Sequence, residues 1–91
     1  AMAIKSTDVL HIERSEVLRG LRLESSLTQQ QIADKLGISR EKVVAVENCH
    51  VKSMLALELD TVKNWWELCR PRADIQTQKQ FVKLMKKELS I

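Results

Sequence analysis

The order of apolar and polar residues between Thr28 and Asn48 predicts two short helices. Ile32, Ala33 and Leu36 share one face of the first helix, because residues spaced three or four apart lie together on a helix. Val43 and Val46 give the second helix a similar buried stripe. The two apolar faces therefore predict a pair of short helices packed on a common core.

Turn and capping residues divide these two helices. Thr28 is a suitable N-cap, and Gln31 three residues later completes a capping-box pattern. Gly37 stands where a chain leaves a helix in the left-handed conformation that glycine adopts at least cost. Ser39 can then cap the second helix. The sequence thus predicts helix, tight turn and helix over 28–48.

Three longer helices are predicted around this pair. One runs from about Ser15 to Glu24, and a second from about Met54 to Cys69, where Leu55, Leu59, Val62, Trp66 and Cys69 recur every three or four residues. A third runs from about Asp74, its N-cap, to Leu89. We therefore expect an all-α, compact five-helix bundle that forms a single domain over 1–91. Its expected parts are an N-terminal arm (1–13), a core (14–69) and a C-terminal amphipathic helix (73–90).

The ends of the chain allow more than one interpretation. Residues 3–12 have no clear apolar period and could form an arm, a short helix or a strand. The last helix could fold back to complete the core of the monomer, which we favour, or pack against a second copy. Trp65 cannot fully share the stripe of Trp66, so it is either an exposed interface anchor or a cover for the edge of the core. The candidate dimer residues are Trp65, Phe81, Met85 and Leu89.

Composition and charge exclude several classes of protein. No apolar run reaches the length of about 18 residues that a membrane helix needs, and the first residues lack a basic region followed by an apolar block, so we expect neither a membrane helix nor a secretory signal. Cys49 and Cys69 lack metal-ligand spacing, so we expect no metal and a reducing, cytoplasmic setting. No catalytic constellation or cofactor motif is present, and we expect no enzyme activity. The net charge is +3, and residues 70–91 carry six basic and two acidic residues.

The segment from Leu18 to Asn48 resembles the helix-turn-helix domain of the phage repressor and Cro family, of the xenobiotic-response-element type. The resemblance covers about a third of the chain without gaps. The matching residues are LRGLR at 18–22, LTQ at 27–29, IA at 32–33, LGIS at 36–39, Val43 and Glu47-Asn48. The chain departs from the family at Ser25-Ser26, where a basic residue and glycine are frequent, and at Cys49, where glycine is usual. A lambda-repressor-like fold is the implied architecture.

The resemblance also implies roles for individual residues. The recognition helix would be 39–48, and the residues on its outward face would contact DNA bases: Arg40, Glu41, Val44 and Ala45. Arg40 suits guanine, Glu41 suits a cytosine amine, and the two apolar side chains suit a thymine methyl group. Candidate phosphate contacts are Gln29, Lys42 and Asn48. Arg22 and Glu47 would form a structural salt bridge.

The function expected from these features is sequence-specific DNA binding by a transcriptional regulator. Such proteins usually bind operator DNA as homodimers, because one recognition helix contacts few base pairs. One alternative is the DNA-binding antitoxin of a toxin-antitoxin pair, with a protein partner bound by the N-terminal arm or the C-terminal helix. The other is a protein-interaction module that keeps the fold without binding DNA. A cytoplasmic, nucleoid-associated location follows from the first interpretation.

Overall fold

Six α-helices and one short 3-10 turn form the part of the chain that this computed structural model describes, residues 4–88 with side chains through Lys87. The helices are α1 (Val9–Glu24), α2 (Gln29–Leu36), α3 (Arg40–Glu47), α4 (Val51–Ala56), α5 (Leu59–Cys69) and α6 (Ile75–Glu88), and the 3-10 turn is Arg70–Arg72. The fold is all-α, as expected. The candidate interface residue Leu89 and the end of the predicted helix 73–90 lie outside the described residues.

The expected number of five helices is wrong, because the predicted helix from Met54 to Cys69 is two helices. Leu57 and Glu58 have extended backbone angles, with ψ of 114° and 147°, and separate α4 from α5. This break changes the phase of the apolar stripe. Leu55 and Leu59, which the stripe placed inside, are 72% and 52% exposed. The core instead receives Met54 from α4 and three residues from α5, namely Val62, Trp65 and Cys69.

Helix α1 begins six residues earlier than the expected start at Ser15. Asp8 is its N-cap, and the carboxylate Oδ1 accepts a hydrogen bond of 2.9 Å from the backbone N–H of Leu10. Residues 9–13 of the expected arm therefore belong to α1, and helix is one of the three conformations considered for this end of the chain. The apolar pattern did not reveal this first stretch of helix, because Val9 is 66% exposed and Ile12 is 38% exposed.

The segment before α1 pairs with the turn that follows α3. Lys5 and His50 form an antiparallel β-bridge. The N–H of Ser6 donates to the carbonyl of Cys49, and the N–H of Val51 donates to the carbonyl of Ile4, each at 2.8 Å. Residues 4–8 therefore form an irregular segment that is joined to the turn after α3 through a single bridge.

The core lies between α1 and the helices that surround it. Leu18 and Leu21 of α1 are fully buried and belong to one core cluster with residues of α2, α3 and α5, among them Ile32, Val43 and Trp65. The indole Nε1 of Trp65 donates a 2.9 Å hydrogen bond to the carbonyl of Leu18. A fully buried Trp65 is not available to a second subunit, so its assignment to the dimer interface is wrong.

Helix α6 folds back onto α1, the arrangement we favoured. Its buried side chains are Thr77, Phe81 and Leu84, and Met85 is partly buried against the core. The Phe81 ring stacks on Trp66 with centroids 4.3 Å apart and planes 4° from parallel. The assignment of Phe81 to a dimer interface is therefore also wrong, because the ring is used within the monomer.

Membrane-spanning character and the state of the two cysteines can also be read from the described residues. Among the described residues, no helix combines the length and apolar character needed to cross a bilayer. Cys49 and Cys69 are both buried free thiols. Burial in the core raises the pKa of the Cys69 thiol above its ordinary value of 9.0.

Candidate nucleic-acid interface

Helix α2 begins with a complete capping box. The hydroxyl of Thr28 accepts a 3.0 Å hydrogen bond from the N–H of Gln31, and the Gln31 side chain accepts a 2.8 Å bond from the N–H of Thr28. These bonds satisfy two backbone donors at the start of the helix. The first turn of α2 is therefore fixed by local interactions, as the sequence predicted.

The turn between α2 and α3 depends on Gly37. Its φ of 71° lies in the left-handed region, and its N–H donates to the carbonyl of Asp34. Ile38 then packs against the core, and the hydroxyl of Ser39 accepts a 3.1 Å hydrogen bond from the N–H of Lys42. Three residues thus turn the chain and begin α3 with a capped N-terminus.

Helix α3 has one buried face and one open face. Val43, Val46 and Glu47 are buried. Of the residues expected to contact DNA from this helix, the exposed ones are Arg40, Glu41, Lys42 and Asn48, and the half-buried ones are Val44 and Ala45. The polar side chains are therefore concentrated in the first turn, where the backbone N–H groups and the helix dipole also favour anions.

Arg22 and Glu47 form the ion pair expected from the resemblance. Two guanidinium nitrogens donate to the two carboxylate oxygens, Nε to Oε2 at 2.6 Å and Nη2 to Oε1 at 2.9 Å. The Nη1 group of Arg22 also donates to the carbonyl of Leu27, at 2.9 Å. The two charged side chains are only 10% and 2% exposed. One guanidinium therefore joins α1, the loop before α2 and the last turn of α3.

Gln29 is positioned by the same carboxylate. Its amide Nε2 donates to Glu47 Oε1 at 3.2 Å, and the side chain is half-buried. We expected Gln29 to contact a phosphate. In this structure one N–H of the amide is already engaged by the Glu47 carboxylate, which leaves the second N–H as a donor for a phosphate oxygen.

An open groove of about 510 Å³ lies beside this ion pair. It is lined by Arg19, Arg22, Thr28, Gln29, Glu47 and Asn48. The groove brings together two of the predicted phosphate contacts, Gln29 and Asn48, but does not include the third, Lys42. It also adds Arg19, an exposed cation that the sequence reasoning missed. The signal was available, because Arg19 precedes Arg22 by three residues and therefore shares a face of α1.

Basic groups outnumber acidic ones among the exposed side chains of this surface, because the buried Arg22–Glu47 pair is neutral as a whole. The carboxylate of Glu47 is buried and paired with Arg22, so it adds little negative potential outside. The exposed ionic groups are then Arg19, Arg40 and Lys42, opposed by Glu41. Such a surface can donate hydrogen bonds to anionic oxygens and still offer one carboxylate acceptor.

Comparison with known proteins found no matching protein family, no matching curated protein and no matching solved structure. In the described part of the chain, no cluster of three or more histidine, cysteine or acidic side chains is arranged to hold a metal ion.

Proposed function

We propose that this chain is a sequence-specific DNA-binding transcriptional regulator with a helix-turn-helix of the lambda-repressor-like type, in which α3 is the recognition helix. The observation that carries the proposal is the combination of an exposed polar first turn on α3 with a buried face held by the Arg22–Glu47 pair. Helix-turn-helix proteins read the major groove with the N-terminal residues of the second helix. A rigidly held α3 supports that use, because base contacts require fixed side-chain positions.

Each exposed residue has a distinct role in this proposal. Arg40 donates paired hydrogen bonds to a guanine, and Glu41 accepts from a cytosine amine. Val44 and Ala45 lie one turn later and are half-buried. They contact thymine methyl groups where α3 comes nearest to the bases. Lys42 contacts phosphate and contributes affinity without sequence preference.

The groove beside the ion pair supplies the other phosphate contacts. Arg19 provides a charged donor, and the amides of Gln29 and Asn48 provide neutral ones. Thr28, the N-cap of α2, also borders this groove, and the N-terminus of a helix carries partial positive charge that favours a phosphate. One DNA strand would therefore pass along α1 and α2 while α3 enters the groove of the duplex.

Dimer formation on a two-fold-related operator remains part of the proposal. Its reason is energetic, since one helix with four base-contacting side chains gives limited specificity. The contact between subunits must use surfaces other than Trp65 and Phe81, which are buried in the monomer.

A selection from random duplex DNA tests this function. The full chain is incubated with the pool at low and moderate salt, and bound DNA is sequenced after several rounds. We expect enrichment of a motif with two related half-sites, and affinity that falls steeply with salt. A matched variant, Arg40→Ala, should lose enrichment at one position of each half-site. Absence of any enriched motif would overturn the proposal.

The protein-interaction module is the second candidate function, and exposed Glu41 favours it. An exposed carboxylate on a DNA-facing surface repels phosphate unless a base amine donates a hydrogen bond to it. Under this alternative, Glu41→Gln would leave the chain without DNA binding. Under the regulator proposal, the same substitution increases non-specific DNA affinity and weakens sequence preference.

A further inference from the structure

A second open groove lies between α5 and α6. It shares no lining residue with the groove beside the Arg22–Glu47 pair. Its volume is about 460 Å³, and its apolar lining comes from Trp66, Ile75 and Val82. Ile75 is 67% exposed and Val82 is 47% exposed. The two residues are seven positions apart and therefore share one side of α6, yet the core is formed by the adjacent side with Phe81 and Leu84. They are thus apolar side chains of α6 that the monomer leaves in contact with water.

Lysine side chains line the same groove. Lys79, Lys83 and Lys86 are exposed, and none of the three forms an ion pair with another described residue. Lys87, the next base along the helix, is paired with Glu13 at 3.5 Å and faces α1 instead. The groove therefore combines apolar surface with three lysines that form no ion pair with a described residue. Lys83 also borders a second pocket that contains Glu13 and Glu16, whereas Lys79 and Lys86 line this groove alone.

The apolar part of the groove is held in place before any ligand arrives. Trp66 is half-buried, and its ring stacks on Phe81 at a centroid distance of 4.3 Å. A stacked ring has little rotamer freedom to lose when a ligand covers its open side. Aromatic residues in such fixed positions are frequent anchors of protein interfaces.

From this combination we infer that the α5–α6 groove binds an acidic amphipathic helix of a protein partner. The stretch of α6 from Ile75 to Lys86 is about 16 Å long, which matches about three turns of a bound helix. The apolar face of that helix would cover Trp66, Ile75 and Val82. Acidic residues beside this face would pair with the lysines, and such pairing would set orientation and partner choice.

Charge argues against a second copy of this chain as the occupant. A two-fold contact places the same patch of each subunit against the other. Six lysine amines would then share one interface without a compensating acid in the groove.

The test is a display selection with the full chain as the bait. The library consists of helical peptides of about 14 residues with a fixed leucine face and flanking positions that vary among Glu, Gln and Lys. We expect enrichment of Glu at the flanking positions. The best peptide should bind at least about tenfold more tightly than its all-Gln counterpart at low salt, and this advantage should shrink as salt rises.

Two double variants distinguish the groove from apolar exposure in general. Ile75→Ser with Val82→Ser should weaken binding of the selected peptide at least about tenfold. Leu55→Ser with Leu59→Ser removes an equally exposed apolar pair on α4 and α5 and should leave binding unchanged. All four positions are exposed, so both variants are expected to keep the melting temperature close to that of the parent chain.

Two triple variants with the same change in net charge test the role of the lysines. Replacement of Lys79, Lys83 and Lys86 by Gln should abolish the preference for Glu over Gln. The same replacement at three exposed lysines elsewhere, Lys5, Lys35 and Lys52, should preserve it.

Four outcomes would overturn the inference. They are a selection without Glu enrichment, equal loss of binding in both serine variants, self-association of the chain that requires Ile75 and Val82, and binding of phosphatidylserine vesicles in place of the peptide. The result is separable from the proposed function, because the Ile75 and Val82 variant leaves Arg40 and the DNA-facing groove intact and should select the same DNA motif as the parent chain.

Discussion

The carboxylate of Glu24 accepts a 2.6 Å hydrogen bond from the hydroxyl of Thr77, although 53 positions separate the two residues. The second oxygen of Glu24 accepts a 2.6 Å bond from the backbone N–H of Asp74. One carboxylate at the end of α1 therefore caps the beginning of α6. An anion in this position is favoured, because the N-terminus of a helix carries unpaired N–H groups and partial positive charge.

Thr77→Val should lower the free energy of unfolding by about 1.5–3 kcal/mol. The substitution keeps the shape of the side chain but removes a buried donor to a charged acceptor. Urea unfolding of the parent and the variant measures the difference. Thr7→Val, at an exposed threonine, is the control and should change stability by less than about 0.5 kcal/mol. Equal effects of the two substitutions would contradict the capping role of Glu24.

Arg22→Ala should be among the most destabilising single substitutions in the chain. It leaves the Glu47 carboxylate buried without its partner, at an expected cost of about 3–5 kcal/mol. Arg19→Ala is the matched control, since Arg19 lies three residues away on the same helix but is exposed. It should keep the melting temperature and weaken DNA binding. An unchanged melting temperature for Arg22→Ala would show that the ion pair contributes little.

Arg40→Ala and Lys42→Ala should weaken DNA binding in different ways. Loss of Arg40 should reduce affinity for the selected operator by about 1–3 kcal/mol and relax the preference at one base pair. Loss of Lys42 should weaken binding to all sequences alike and reduce the salt slope by about one. Fluorescence anisotropy with operator and scrambled duplexes, at several salt concentrations, separates the two patterns. A uniform loss with Arg40→Ala would assign Arg40 to phosphate instead.

Ser26→Gly should stabilise the fold by about 0.5–1 kcal/mol. Ser26 has a φ of 56°, and the left-handed conformation is unfavourable for a residue with a Cβ atom. Gly37→Ala gives the opposite test at a φ of 71° and should destabilise by about 1 kcal/mol. A Cβ atom at Gly37 would meet no atom within 4 Å, so this loss would report backbone conformation alone. Thermal unfolding of both variants should therefore give shifts of opposite sign.

The Cys69 thiol should make the protein less stable at alkaline pH. Burial raises its pKa above 9.0, so above that pH the unfolded chain loses the thiol proton while the folded chain retains it. The folded state then binds more protons, and stability falls as pH rises. Urea midpoints from about pH 8 to about pH 10 should show this slope. Cys69→Ala should be less stable at neutral pH and should lose most of the slope.

Local signals explain why 28–48 could be predicted accurately. The capping box at Thr28, the left-handed Gly37 and the cap at Ser39 each act within four residues of chain. A sequence contains all the information that such interactions need. The bridge from Arg22 to Glu47 is different, because it joins residues 25 positions apart and was expected only through the family resemblance.

The errors occurred where tertiary contacts decide between neighbours. Trp65 and Trp66 are both large and apolar, and the choice between them depends on the carbonyl of Leu18, to which only Trp65 donates. The break at Leu57 and Glu58 lacks the glycine or proline that usually marks the end of a helix. A single continuous helix would place Leu55 and Leu59 on the buried stripe. The break separates the helix into two segments, and both residues are exposed.

The position of Arg22 limits how far α2 and α3 can be moved to another protein. Grafting 28–48 alone onto a different scaffold would transfer Glu47 without the guanidinium that neutralises it. The buried face of the transplanted helix would then contain the Glu47 carboxylate without a partner. The new scaffold would have to supply a basic residue, or Glu47 would have to be replaced by an uncharged residue. A transferable unit must therefore begin within α1, so the smallest portable module of this fold includes Arg22 and extends through Asn48.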